Sequence, residues 1–139
     1  MTIELIPLGT ADVGISSIMM PGGPLGTRVT VEITSVDCRG ERLRAKLKGA
    51  AAADWAVISP AGIGLMDVRL TLETDDGALI YVSYNGRVDV SHGLEGATAY
   101  TAPRFETGDE RYAWLNKIQA VAKGVVSEGV LRYELYELS

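Results

Sequence analysis

The sequence predicts an all-β domain, a sandwich or a barrel of about eight or nine short strands. Three observations predict it. Apolar and polar residues alternate with a period of two along several runs, the mark of a half-buried strand. Glycine and proline punctuate nearly every gap, as in PGGPLG at 21–26, SPAG at 59–62 and DDG at 75–77. Finally, the alanine-rich GAAAADW (49–55) is short and has no amphipathic stripe, and only the stretch after Gly108 has room for a helical turn.

Taken in order, Ile3, Leu5 and Pro7 alternate with Thr2 and Glu4, and Val29, Val31 and Ile33 alternate with Arg28, Thr30, Glu32 and Thr34. Leu43, Ala45 and Leu47 alternate with Arg42, Arg44, Lys46 and Lys48, a basic strip expected on a solvent-facing or edge strand. Further strand runs are read at 55–59, 65–74, 78–87, 99–106, 117–124 and 130–138. Within 65–87, a three-residue Asp75-Asp76-Gly77 loop, with glycine in the left-handed position, pairs Leu72 with Ile80, Leu70 with Val82 and Val68 with Tyr84. That register collects the apolar residues on one face and Asp67, Arg69, Thr71, Tyr81, Ser83 and Asn85 on the other. A two-residue turn would mix the faces. The polar face is either the outside of a sandwich or the lining of a barrel whose outer surface packs on a partner.

Bulk properties set limits. The 139 residues fit one domain (1–139), long enough to bury a core without staples. A net charge of −5 with no basic cluster argues against nucleic acid as a partner. The lone Cys38 allows no intramolecular disulfide and fits a reducing compartment. MTIELIPLGT has neither the basic region nor the apolar stretch of a signal peptide, and no apolar run reaches membrane-spanning length, so the expected location is cytoplasmic. One His and one Cys cannot supply a Cys/His zinc set, and GGPLGT (22–27) lacks the strand, helix and lysine of a phosphate loop. No metal or cofactor is expected.

ADW (53–55), LMDVRLTLETDDGALIYV (65–82) and APRFETGDERYAWLN (102–116), with the closing RYELYEL, resemble the DUF3237 (UPF0311) family of small bacterial proteins. The resemblance covers most of the chain. It implies a closed antiparallel β-barrel of the calycin or allene-oxide-cyclase-like kind, and much less about activity. The chain departs from the family pattern at Leu70, which replaces an aromatic, and at Tyr100, which replaces an arginine. Ala120 and Ala122 stand where larger residues are usual, which would widen an interior.

The candidate catalytic set is Glu106, Asp67, Arg69, Arg104 and Tyr81. Arg104 and Glu106 are two apart on a strand and point the same way. Beside Asp67 and Arg69 they would join two guanidiniums to two carboxylates, suited to holding an enolate and moving a proton. The structural alternative is an Arg–Glu lock, with Asp109 and Arg111 finishing a turn. Trp55, Tyr112, Trp114, Asn116 and Tyr100 are the candidate substrate-binding residues, and Gly108–Arg111 the corner. His92, the only histidine, sits in a loop suited to a rim, and Asp75-Asp76 is explained by turn chemistry. Two functions follow. One is a cofactor-independent acid/base enzyme, an isomerase, lyase, hydratase or cyclase, acting on a hydrophobic carbonyl compound inside the barrel. The other is a non-catalytic small-molecule-binding or oligomer-forming barrel. Tyr133, Tyr136 and Leu138 on the last strand point either to a homodimer or higher homo-oligomer, or to a strand that closes the barrel.

Overall fold

The computed structural model describes residues 1–139 and is built mainly of antiparallel strands. They are β1 (Leu5–Gly22), β2 (Thr27–Arg39), β3 (Arg44–Leu47), β4 (Ala53–Ile58), β5 (Ile63–Thr74), β6 (Leu79–Asp89), β7 (Thr98–Thr101), β8 (Arg104–Glu106), β9 (Ala120–Ser127) and β10 (Val130–Leu138). One 3-10 helix, Glu110–Lys117, interrupts them after Gly108, where the sequence leaves room for it. Starting at β2 and passing through β1, β10, β9, β7, β6, β5 and β4, the pairings lead back to β2. The sheet is thus curled, β-barrel-like, around its own apolar face. No helix is long and apolar enough to cross a membrane.

The predicted register of the 65–87 hairpin is the observed one, from Glu73 opposite Leu79 to Asp67 opposite Asn85. Gly77 takes the left-handed conformation with φ of 92°. The basic strip also lies as expected, with Leu43 and Ala45 buried and Arg42, Arg44 and Lys46 exposed. Two expectations change. There are ten strands, because Ala102-Pro103 divides the 99–106 run into β7 and β8. The alternation at 2–7 buries nothing: Ile3 and Leu5 are exposed, and the inward residues of β1 are Leu8, Ala11 and Val13.

The orientation of the hairpin is the larger correction. Met66, Val68, Leu70, Leu72, Ile80, Val82 and Tyr84 are buried, whereas Asp67, Arg69, Tyr81 and Asn85 are exposed. The polar ribbon therefore faces water and lines no hollow. The reason is hydrophobic: a single sheet curled on itself offers one water-free volume, its inside, and the apolar face of each strand is driven there. The last strand, β10, is hydrogen-bonded on both sides within the chain, to β1 and β9, and Tyr133 points inward.

Candidate functional site

The inward side chains do not fill the interior. A cavity of about 300 Å³ is walled by Val29, Val31 and Ile33 of β2, Ala56 and Ile58 of β4, Met66 and Val68 of β5, and Val88 of β6, among others. Ile18, Met20 and Leu94 belong to the same wall yet are exposed, which places the mouth at their end. The segment that includes Val90 and Leu94 borders that mouth. His92 lies in it but is itself exposed.

One carboxyl group lines this apolar wall. Asp54 shares its side of β4 with Ala56 and Ile58 and lies opposite Val68, which lies opposite Tyr84 on the next strand. Asp54, Val68 and Tyr84 thus form one inward row across β4, β5 and β6. At ordinary strand spacing the Asp54 and Tyr84 backbones stand about 10 Å apart, with Val68 of β5 between them. The β4–β5 ladder skips Trp55 and Ala56, and in that gap Asp54 Oδ1 accepts the Asp67 backbone N–H at 2.9 Å. No protein group donates to Oδ2. Burial pushes the carboxyl up to about 6; the Asp67 N–H opposes the rise and the Asp67 charge adds to it. Burial likewise raises the phenols of Tyr84 and Tyr133, which lie within hydrogen-bond reach of each other, with the Asp54 charge a lesser contribution to both, so both stay protonated at neutral pH.

A smaller chamber of about 40 Å³ lies beyond, and Val13 and Tyr84 belong to both walls. Leu70 and Ala122 line it, so two of the sequence's departures from the family pattern bear on interior shape, and Ala120 is fully buried. Tyr133 also lines the chamber, edge-on to Tyr84 with ring centroids 6.0 Å apart. Gly124 makes that packing possible, because a Cβ there would sit 2.6 Å from the Tyr133 ring. The Cys38 thiol, pushed up to about 12 by burial, stays protonated in the same chamber.

The sequence-derived candidates lie elsewhere. Arg69, Ser83 and Arg104 form one outward row, and Thr71, Tyr81 and Glu106 the next. The expected convergence of Arg69, Arg104, Tyr81 and Glu106 is real, but it occurs on the outer surface, and no salt bridge joins Arg104 to Glu106. Asp67 contributes its backbone N–H to Asp54 while its side chain faces out. The Arg69 guanidinium stacks 4.4 Å from the centre of the Trp55 ring, and Arg42 lies 4.6 Å from that of Trp114. Tyr100 is exposed, with the Lys123 ammonium 5.9 Å from its ring centre.

Tyr112, Trp114 and Asn116 likewise miss the cavity and serve the corner. Tyr112 donates its hydroxyl to Asp76 at 2.8 Å, and Arg111 pairs with Asp109 and Asp76. Asn116 accepts the Thr107 N–H at 2.8 Å and donates to the Thr107 carbonyl at 2.9 Å. The block 101–116 is a clamp that pins the DDG turn. Sequence reasoning missed Asp54 altogether and read Tyr84 as core. The available signal was parity: Asp54 is a lone acid on the apolar side of its strand.

Comparison with known proteins adds a family and a fold. The family model described as "Protein of unknown function (DUF3237)" matches residues 3–138. A UPF0311 protein of Rhodopseudomonas palustris is 29% identical over 102 residues, 65% of this chain and 66% of the relative. The match thus spans just under two thirds of that relative's length. A β-barrel-like protein from Acinetobacter baumannii superposes with a TM-score of 0.90 at 27% identity, covering 100% of this chain and 98% of that one. An enzyme from Penicillium herquei shares the fold at a TM-score of 0.77 and 18% identity, covering 99% of this chain and 94% of that one.

Proposed function

The chain belongs to the DUF3237 family, and from that premise we propose that it is a closed β-barrel acting on a hydrophobic carbonyl compound by proton transfer, with Asp54 as the base. The observation that carries the reading is a single carboxyl group, with one free oxygen, in the wall of an otherwise apolar cavity. A carboxyl desolvated in an apolar wall, with only one oxygen bonded, costs stability when ionised, which favours a role in chemistry over one in folding. Above pH 6 the free Oδ2 is a base of useful strength, held in place through Oδ1. In this reading Tyr84, protonated and lining the same cavity two strands away, donates to the oxygen on which negative charge develops. The apolar walls exclude water and strengthen both interactions. Isomerisation, elimination or addition of water, and ring closure all begin with such a step. A fold relative from Penicillium herquei is an enzyme, which supports the barrel as a frame for catalysis by analogy alone.

The test uses a probe ketone. 2-Tetralone in D2O exchanges its α-protons slowly, and NMR follows the loss of their signals. Wild-type protein is expected to accelerate exchange with a rate that rises through pH 6, and Asp54→Asn to abolish the acceleration while still binding the ketone. Binding without acceleration in the wild type would leave a carrier and remove the enzyme reading.

A further inference from the structure

Tyr84 does not stand alone in the interior. Its ring meets that of Tyr133 edge-on, with centroids 6.0 Å apart. The Thr101 and Tyr133 hydroxyls lie within hydrogen-bond reach of each other and of Tyr84. All three residues are buried. Two bare backbones let the cluster fit. Gly124 lies opposite Tyr133, and Gly86 opposite Thr101, in their ladders. A Cβ on Gly124 would sit 2.6 Å from the Tyr133 ring, and one on Gly86 would sit 2.6 Å from Thr101 Cγ2. Neither glycine has a left-handed φ, so what both supply is space.

The order of donation follows from counting protons. Three hydroxyls joined in a row carry three protons and make two bonds, so one proton is left over at an end of the row. Outside the trio neither Thr101 Oγ1 nor Tyr133 Oη has a partner, and both are shut off from solvent. A surplus proton at Thr101 would be dry and unpaired, a state that buried polar groups avoid. At the other end Tyr84 lines the larger cavity with Asp54, where a surplus proton can meet a ligand. We infer that Thr101 and Tyr133 are positioning residues in a chain of hydroxyls, Thr101 donating to Tyr133, Tyr133 to Tyr84, and Tyr84 to an oxygen of the ligand. The inference rests on the proposed use of Asp54 and Tyr84 and deepens it by naming what the cavity selects. Thr101 and Tyr133 act through Tyr84 and not on the ligand itself. A bond accepted from Tyr133 directs the Tyr84 O–H and polarises it, and a row of such bonds strengthens its last member. The gain is largest when the ligand oxygen carries negative charge. The cavity thus favours a ligand whose oxygen is, or becomes, an enolate or phenolate over a neutral molecule of the same shape.

The experiment measures how readily bound 2-naphthol ionises. Asp54→Asn is the parent, because the amide removes a carboxylate that would repel the naphtholate. Naphthol and naphtholate absorb at different wavelengths. Their bound ratio at pH 8 is read in the parent and after adding Tyr84→Phe, Tyr133→Phe or Thr101→Val. The ratio of naphtholate to naphthol is expected to fall most with Tyr84→Phe, by about threefold or more with Tyr133→Phe, and by less with Thr101→Val. Affinity for 2-methylnaphthalene, nearly equal in shape and without the oxygen, is expected to stay the same. Thr101→Val keeps the test open should Tyr133→Phe fail to fold. A ratio that falls with Tyr84→Phe alone overturns the chain and leaves Tyr84 and the cavity reading standing. Equal losses of naphthol and methylnaphthalene affinity at an unchanged ratio would make Tyr133 and Thr101 packing residues, and overturn the chain as well. A ratio that Tyr84→Phe leaves unchanged removes Tyr84 as the donor, and a parent that binds neither probe overturns both readings.

Discussion

Replacing Asp54 by Asn removes one ionisation and little else. The amide keeps an oxygen for the Asp67 N–H, and its volume matches the carboxyl. In the folded chain the Asp54 carboxyl holds its proton up to a pH of about 6, against an ordinary value of 3.8. At ~1.4 kcal/mol for each tenfold change in proton affinity, that difference is worth about 3 kcal/mol. The sign follows from proton counting. Between pH 4 and 6 the folded state binds more protons than the unfolded chain, so the Asp54 contribution to stability falls as pH rises. The penalty is absent below about pH 4 and complete above about pH 6. The aspartates Asp37, Asp76, Asp89 and Asp109, each held below the usual carboxylate range, act in the opposite sense, losing their stabilisation as pH falls. They are present in both proteins, so the difference between variant and wild type cancels them. Asp54→Asn is expected to match wild type at pH 4 and to exceed it by up to about 3 kcal/mol at pH 8. With an unfolding entropy of roughly 2 cal/mol/K per residue, this is about 10 °C in Tm. Thermal unfolding followed by circular dichroism across that range measures it. A difference that stays constant with pH, or a wild type more stable than the variant at pH 8, would refute the claim that this carboxyl is buried in the cavity wall.

Other perturbations separate cavity, packing and surface. Ala56→Trp projects an indole into the larger cavity and should weaken 2-naphthol binding at least tenfold, while crowding costs about 1–3 kcal/mol, read by calorimetry and thermal melts. Gly124→Ala puts a methyl 2.6 Å from the Tyr133 ring and should destabilise the fold by about 1–3 kcal/mol; no loss in urea unfolding would show that the ring gives way freely. Glu106→Gln and Arg69→Ala alter only the outer surface and should leave naphthol affinity within twofold of wild type. A larger fall in either would tie the exterior cluster to the cavity.

The fold was legible because its main signals are local. Parity over 65–87 specifies register and turn together, since the alternative pairing mixes faces along the whole hairpin. The length of β1 was not legible for the same reason in reverse. Its ladder is broken by register shifts after Pro7, Gly14, Ile15 and Met19, and every shift resets the alternation that a reader of parity relies on. Only its first residues looked like a strand, although it runs for 18. The split between β7 and β8 was hidden because the side-chain alternation of 99–106 carries on past Pro103, where the ladder breaks.

The site was misplaced for a physical reason. Charged and aromatic residues clustered at 101–116 draw the eye, but an exposed ion pair is worth little and marks little. What such residues do here is hold a corner: Asp76 gathers the hydroxyls of Thr74 and Tyr112 and the Arg111 guanidinium, and Asn116 ties back to Thr107. The informative acid is the inconspicuous one. Asp54 has alanines on either side of Asp54-Trp55 and no charged neighbour in sequence, and its meaning comes from facing the same way as Ala56, Ile58 and Val68. A charge on the apolar side of a strand must be moved out, neutralised or used. Here the backbone N–H of Asp67 fixes half of the carboxyl and leaves the other oxygen free. A residue needed only to bridge the β4–β5 gap would serve better as asparagine, which makes the same bond without the penalty. That the chain keeps an acid is the strongest argument that the proton, and not the bond, is what the position is for.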